Sequence, residues 1–274
     1  PESPPVGIAS LIITSGAAAI VAAVIVILLT PYGSAVSPDS VSYLDIATHI
    51  RHGDGWGSSD LRLAYYGENR VLPNAAWPPM YPLLLALWGE PSPQSAVGLS
   101  WLALTFSLVL IQFLLRPLLG KWCALICALP FALAVPMLTI HAYVWSEQWF
   151  VVFSVGMMLS LQIYLINCEE TAAKKVSVFT SKLAMVSATC FAVAAFYTRY
   201  VGIAFFPVPL IAYFIRNHPA SHRKTVTVSY LFYGVSVLAL LIYNRHVSGD
   251  SSGTFRAFST ISIMVHVHNA LSAF

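Results

Sequence analysis

Between positions 7 and 30 the chain carries no charged side chain and is almost wholly apolar, which makes a bilayer-crossing helix its natural form. Inside hydrocarbon every backbone N–H and C=O must be paired within the protein, so such a run is committed to helix. No basic stretch precedes it and no small-residue cleavage site follows, so it reads as a retained span rather than a removed leader. Six further stretches are long and apolar enough to cross: 95–115, 121–139, 142–166, 183–198, 200–215 and 226–243. The expected fold class is therefore all-α, a polytopic membrane bundle of seven transmembrane helices. With 58% hydrophobic and 9% charged residues, the composition excludes an ordinary soluble domain.

Charge placement orients the bundle. With the amino terminus cytoplasmic, the inner loops hold Arg116, Lys121, Lys174, Lys175, Lys182, Arg216, Arg223 and Lys224, which include all five lysines. Positive charge in short loops marks the inner side. The polar stretch 31–94, Arg199 and the segment from Asn244 then face outward, which gathers the unusual polar residues on one side. A net charge of +3, spread thinly, forms no patch for nucleic acid, so no nucleic-acid partner is expected. The four cysteines lack both metal-knuckle spacing and a disulfide framework and read as free thiols.

The outer loop has structure of its own. Apolar residues at Val41, Leu44, Ile46, Ala47 and Ile50 recur at helical spacing and predict an amphipathic helix along the interface, ended by Gly53-Asp54-Gly55. Residues 80–89 are too short to cross and predict a second interfacial or re-entrant helix. The chain opens on Pro1 and stops at Phe274 on what reads as the approach to another helix, so 1–274 is expected to be the N-terminal part of a longer multi-span domain.

These landmarks carry a resemblance. An outer loop opening with Asp39 and Tyr43, the turn His52-Gly53-Asp54-Gly55-Trp56, and Trp77-Pro78-Pro79-Met80-Tyr81-Pro82 follow the first span. Trp145-Ser146-Glu147 opens the fourth span, Thr198-Arg199-Tyr200 closes the fifth, and Tyr243-Asn244-Arg245 leads through Gly249 to Arg256 after the seventh. In order and spacing the chain resembles GT-C membrane glycosyltransferases, with most likeness to the protein O-mannosyltransferase and aminoarabinose-transferase branch. The resemblance implies an enzyme that takes a sugar from a polyprenyl-phosphate carrier and gives it to a glycan, lipid or protein acceptor outside the membrane. It implies an acidic residue at the start of the first loop as catalytic base, and Asp39 is the matching position. The chain departs from relatives that place lysine or glutamate just before the loop proline, where Trp77 stands.

The residue types suit that chemistry. A base must take the acceptor's proton, and the departing lipid phosphate needs a fixed cation. Arg199, between Thr198 and Tyr200 at an outer helix end, is the first candidate for the phosphate, and Arg256 in a glycine-rich outer stretch is the second. The bland readings stand beside these: Asp39 as the N-cap of the loop helix, Arg199 snorkelling to headgroups, Arg256 as an ordinary loop charge. Asp45, Tyr43, Glu147 and Trp77 are possible supporting residues. A helix turns Asp45 about 240° from Asp39, so a solvated face is its simpler reading. Glu147 is costly to bury unpaired and should meet a partner or a watery cavity; His141 is one conceivable partner. His49 and His52 with Asp45 or Asp54 lack a third well-spaced ligand, and His266 and His268 share one face only if extended, so no metal site is expected. Neither is a cofactor. Trp56, Tyr65, Tyr66, Trp77 and Tyr81 read as a sugar platform or as membrane anchors. The other function classes left open are a secondary transporter, which would put polar residues on broken helices at the midplane in repeated halves, and a noncatalytic assembly protein.

Overall fold

The computed structural model describes residues 8–59, 71–172, 178–215 and 220–249. Arg256, Tyr65, Tyr66, His266 and His268 lie outside the described residues. Within them the protein is a helical bundle with five helices long and apolar enough to cross a membrane, or six if one bent pair counts as a single span.

Helix α1 (Ile8–Leu29) is followed by the loop helix α2 (Pro38–His52), a two-stranded antiparallel ribbon of β1 (Gly57–Ser59) and β2 (Val71–Pro73), and the short helix α3 (Met80–Trp88). Helix α4 (Pro93–Leu119) returns through the bundle, and α5 (Lys121–Leu133) with α6 (Val135–Ala142) comes back as a pair bent by 67°. The expected span 121–139 is thus broken. Pro136 has no N–H to carry helical bonding across the break, and Ala134, where the helix restarts, is extended at φ −63°, ψ 134°. Helices α7 (Glu147–Ala172) and α8 (Val178–Thr198) form the next hairpin.

The expected span 200–215 is not one regular helix. It consists of a 3-10 helix (Tyr200–Phe205) and α9 (Val208–Ile215), separated at Phe206-Pro207. Pro207 cannot donate, and helical bonding restarts with the Ile211 amide donating to the Pro207 carbonyl at 2.9 Å. The segment nonetheless runs antiparallel to α10 (Ala220–Ser248). Its Tyr200 meets Asn244, its Gly202 carbonyl accepts from Tyr233 at 2.6 Å, and its Phe206 packs on Tyr230 at 4.2 Å between ring centroids. Tyr200–Ile211 is a shorter apolar stretch that does not count among the helices long enough to cross, so the expected sixth span is replaced by this broken segment.

Two boundaries move as well. The expected span 142–166 begins only at Glu147, because the link 143–146 gives its backbone elsewhere: Val144 donates to the Ala35 carbonyl and Ala35 donates to the Ala142 carbonyl. The N-cap of α2 is Ser37, not Asp39. The Ser37 hydroxyl accepts from the Ser40 amide while the Ser40 hydroxyl accepts from the Ser37 amide, a reciprocal capping box. Gly53 ends α2 in the left-handed region at φ 88°, where a glycine carries no Cβ penalty.

Three packed regions hold the bundle. Ala18, Ala22 and Val26 of α1 meet Leu104 and Leu108 of α4 and Ala128 and Ala132 of α5. Tyr43, Tyr81, Leu85, Ala96, Ala103, Trp149 and Val152 join α2, α3, α4 and α7. Met157, Tyr164, Met185, Ala188, Phe196 and Tyr233 join α7, α8 and α10. Alanine dominates because lipid tails give helices no hydrophobic reason to associate, so close van der Waals approach must do it. The cysteines are all free, Cys168 buried and Cys123, Cys127 and Cys190 exposed.

The closest backbone approach is at Gly202, where an added Cβ would sit 2.5 Å from the Phe196 nitrogen and 2.6 Å from its Cα. These are backbone atoms of α8 and cannot swing aside. Gly202→Ala should destabilise the detergent-solubilised protein by about 1–3 kcal/mol, read as a lowered thermal midpoint; an unchanged midpoint would contradict the packing of the 3-10 helix on α8.

Candidate functional site

One end of the bundle gathers the loop helices and the ends of α7, α8 and α10. Helix α2 enters it with Pro38 in its first turn and Asp39 beside it, exposed and without a hydrogen bond or ion pair among the described residues. The capping box leaves the Asp39 side chain free, since Ser37 does the capping that Asp39 might have done. The positive end of the α2 dipole lies at the same turn and favours a carboxylate there.

One turn further along, Tyr43 points inward and is only 2% exposed. Its hydroxyl lies 3.0 Å from the Ser146 hydroxyl, in the link that precedes α7. Arg199, where α8 gives way to the 3-10 helix, donates from Nη1 to the same Ser146 oxygen at 3.4 Å and forms an ion pair with Glu147. The arginine is about a third exposed, at 36%, and no other nitrogen of its guanidinium is bonded among the described residues. An anion arriving from the open side thus finds free donors on a cation already held in place by Glu147. Arg199 itself is extended at φ −149°, ψ 134°, with its amide donating to Ala195 and its carbonyl accepting from Gly202. Its backbone is fastened at both ends.

Three charges bear on the Tyr43 hydroxyl. Burial pushes its pKa up to about 12, the hydrogen bond with Ser146 opposes this, Glu147 and Asp39 raise it and Arg199 lowers it. Asp39, Glu147 and Arg199, brought from α2, α7 and α8, are therefore electrostatic neighbours of one phenol. Beneath it Tyr81 is fully buried, receives a hydrogen bond from Gln148 Nε2 at 3.1 Å, and is pushed strongly upward by burial. Trp77 and Tyr81 meet the Tyr43 ring edge-on at 5.0 and 5.1 Å.

The site residues expected from sequence thus divide. Asp39, Tyr43, Glu147, Trp77 and Arg199 come together. Asp45 does not join them: its two oxygens accept from the Ser59 amide at 2.8 Å and the Ser59 hydroxyl at 2.7 Å, tying α2 to β1. Arg256 lies outside the described residues. His141 is no partner for Glu147, since its Nδ1 donates to the Met137 carbonyl at 2.8 Å while Glu147 faces Arg199. Among the described residues no group of three or more His, Cys, Asp or Glu side chains is arranged to hold a metal ion. The loop aromatics are neither anchors nor a free platform in every case: Tyr81 is interior, and Trp56 stacks on Tyr243 of α10 at 4.7 Å.

Sequence reasoning named the neutral groups that build the site only as parts of motifs and gave them no role. Ser146 bonds both Tyr43 and Arg199. Trp145 donates from its indole to Ser37 at 2.7 Å, holding the cap beside Asp39. Tyr200 donates to the Ala75 carbonyl at 3.0 Å and accepts from Asn244, closing the ribbon's return onto α8 and α10. Their one sequence signal was membership of those motifs, beside Glu147 and Arg199.

No protein-family model matches the chain, no curated protein matches it, and no solved structure matches it.

The buried phenol gives a pH-dependent expectation. The folded state holds Tyr43 protonated to a higher pH than the unfolded chain, whose phenol ionises near 10.0, so its stabilising contribution is complete below that pH and declines from there toward about 12. Thermal midpoints of the wild type should therefore fall more steeply above about pH 10 than those of Tyr43→Phe; equal slopes would place Tyr43 in contact with water.

Proposed function

We propose that the chain belongs to a lipid-linked sugar transferase of the GT-C type, working on the outer face of the membrane with Asp39 as base and Arg199 as holder of the donor phosphate. The observation that carries this reading is the Arg199–Glu147 ion pair joined through Ser146 to Tyr43, with Asp39 one turn before Tyr43 on α2. A free carboxylate on α2 and an arginine with unused donors at the end of α8, at the same end of a membrane bundle, suit the two demands of the reaction. The acceptor hydroxyl loses its proton to Asp39 as its oxygen bonds to the sugar's anomeric carbon. The bond from that carbon to the phosphate oxygen breaks, and the electron pair leaves with the polyprenyl phosphate, whose charge Arg199 stabilises. One displacement of this kind inverts the anomeric centre.

Glu147 fits the role of a counter-ion that keeps the guanidinium aimed before the donor arrives. Arg256 remains the second proposed contact for the phosphate, from the segment that follows α10. Lys121, Lys182 and Lys224 with Arg116 and Arg223, at the other ends of their helices, support placing that end on the cytoplasmic side. The charged side chains of the five long helices stand in or near their end turns rather than at mid-length, which disfavours a midplane transport site.

Full-length protein in detergent, given radiolabelled polyprenyl-phosphate sugars, should release the free carrier. Asp39→Asn should lower that rate by roughly 10²–10⁴-fold with an unchanged thermal midpoint, and Arg199→Ala by roughly 10²–10³-fold. A fully active Asp39→Asn protein would refute the base.

A further inference from the structure

At the far end of α2 from Asp39, a histidine is enclosed by oxygen atoms on both sides. His49 Nδ1 lies 3.0 Å from Asp54 Oδ2, and its Nε2 lies 3.0 Å from the Ser59 hydroxyl and 3.6 Å from Asp45 Oδ1. The Ser59 hydroxyl in turn donates to Asp45 Oδ1 at 2.7 Å, and the Ser59 amide donates to Asp45 Oδ2 at 2.8 Å. Counting hydrogens settles the polarity. A hydroxyl owns one proton, and here it goes to Asp45, so Ser59 can only accept from His49 Nε2. A carboxylate can only accept, so His49 Nδ1 must also donate. Every bond in the network is made only when both ring nitrogens carry hydrogen.

We infer that His49, Asp45, Asp54 and Ser59 form a proton-dependent clamp that fastens the β1–β2 ribbon to α2. With one proton fewer on His49, the single hydroxyl hydrogen of Ser59 must serve either Asp45 or the imidazole. One bond is lost, and the two carboxylates lose the cation between them. The clamp therefore tightens in acid and loosens as pH rises through the range where histidine changes charge.

Among the described residues the charged groups facing His49 are Asp45 on its own helix and Asp54 in the turn beyond it. Arg51, two positions on, is occupied by Glu90 and the Ala86 carbonyl at the end of α3, and β1 contributes no charge. The consequence reaches the candidate site through the ribbon. Ser59 pairs with Val71, β2 leads to Asn74, and the Asn74 amide donates to the Trp56 carbonyl. Asn74 Nδ2 then holds the Trp77 carbonyl at 2.9 Å, in the turn that sets Trp77 against Tyr43. The clamp itself does not depend on the transferase reading, because the ribbon can be followed directly.

Amide hydrogen exchange of residues 57–59 and 71–74 in the full chain, corrected for intrinsic chemistry and run from roughly pH 5.5 to 8, tests this. The Ser59 amide should be protected roughly fivefold more at the acidic end, the worth of one ordinary hydrogen bond. His49→Gln should flatten that dependence, and His52→Gln, one turn position away and exposed, should leave it intact. Asp54→Asn keeps an oxygen acceptor but removes a charge, so it should move the change to lower pH even if the glutamine variant folds poorly. Protection independent of pH in the wild type, a slope retained in His49→Gln, or an unmoved change in Asp54→Asn would each overturn the clamp.

Discussion

The non-helical link of residues 143–146 is the constraint on which the polar end of this protein depends. Its backbone pairs with Ala35, its Trp145 indole holds the cap of α2, and its Ser146 hydroxyl touches both Tyr43 and Arg199. Four residues thus tie the loop after α1, the start of α2 and the end of α8 to the first turn of α7. Had the helix run on from α6 into α7, those amides would have been spent internally and none of these ties could form. The bend between α5 and α6 serves the same arrangement, since it redirects the chain so that α6 delivers the link to the loop.

The crossings were legible because hydrocarbon leaves a segment almost no choice of structure. The expected spans 7–30 and 95–115 correspond to α1 (Ile8–Leu29) and α4 (Pro93–Leu119), whose described ends differ from expectation by a few residues. What hydropathy could not see was backbone chemistry inside apolar runs. Pro136 and Pro207 carry the same greasy signature as their neighbours, yet each removes a donor and breaks a helix there. Residues 143–146 were missed for a related reason: Tyr, Val, Trp and Ser look like the mouth of a span, and only the pairing with Ala35, more than a hundred positions earlier, withdraws them from it.

The candidate site was legible in its charges and illegible in its neutral groups. Asp39, Glu147 and Arg199 stand out because an ionised side chain at a membrane helix end demands an explanation. Ser146 does not, although without its hydroxyl Tyr43 would lose its partner and Arg199 its second contact. Asp45, read as a solvated face with a supporting place in the site held open, fills neither role: its oxygens are consumed by a serine in a strand too short to announce itself. The capping of α2 shows the same limit: Asp39 after Pro38 is a sound cap by residue type, but Ser37, two positions earlier, takes the role once Ser40 can answer it.

The two interior phenols explain why α2 and α3 dock in one register only. Tyr43 and Tyr81 are both essentially buried, and each has its hydroxyl matched by a residue at the start of α7, Ser146 for one and Gln148 for the other. A buried hydroxyl left without its partner costs about 1–3 kcal/mol. Sliding either loop helix by one residue would carry its tyrosine off the α7 partner and forfeit the edge-on contact between the rings. Apolar contacts alone would tolerate such a slip, because alanine and leucine surfaces are forgiving. The hydrogen bonds are not, and they set the position of Asp39 at the N-terminal turn of α2 relative to Arg199 at the end of α8. The geometry available to any chemistry at this end is therefore decided by two uncharged tyrosines and by the first residues of one helix.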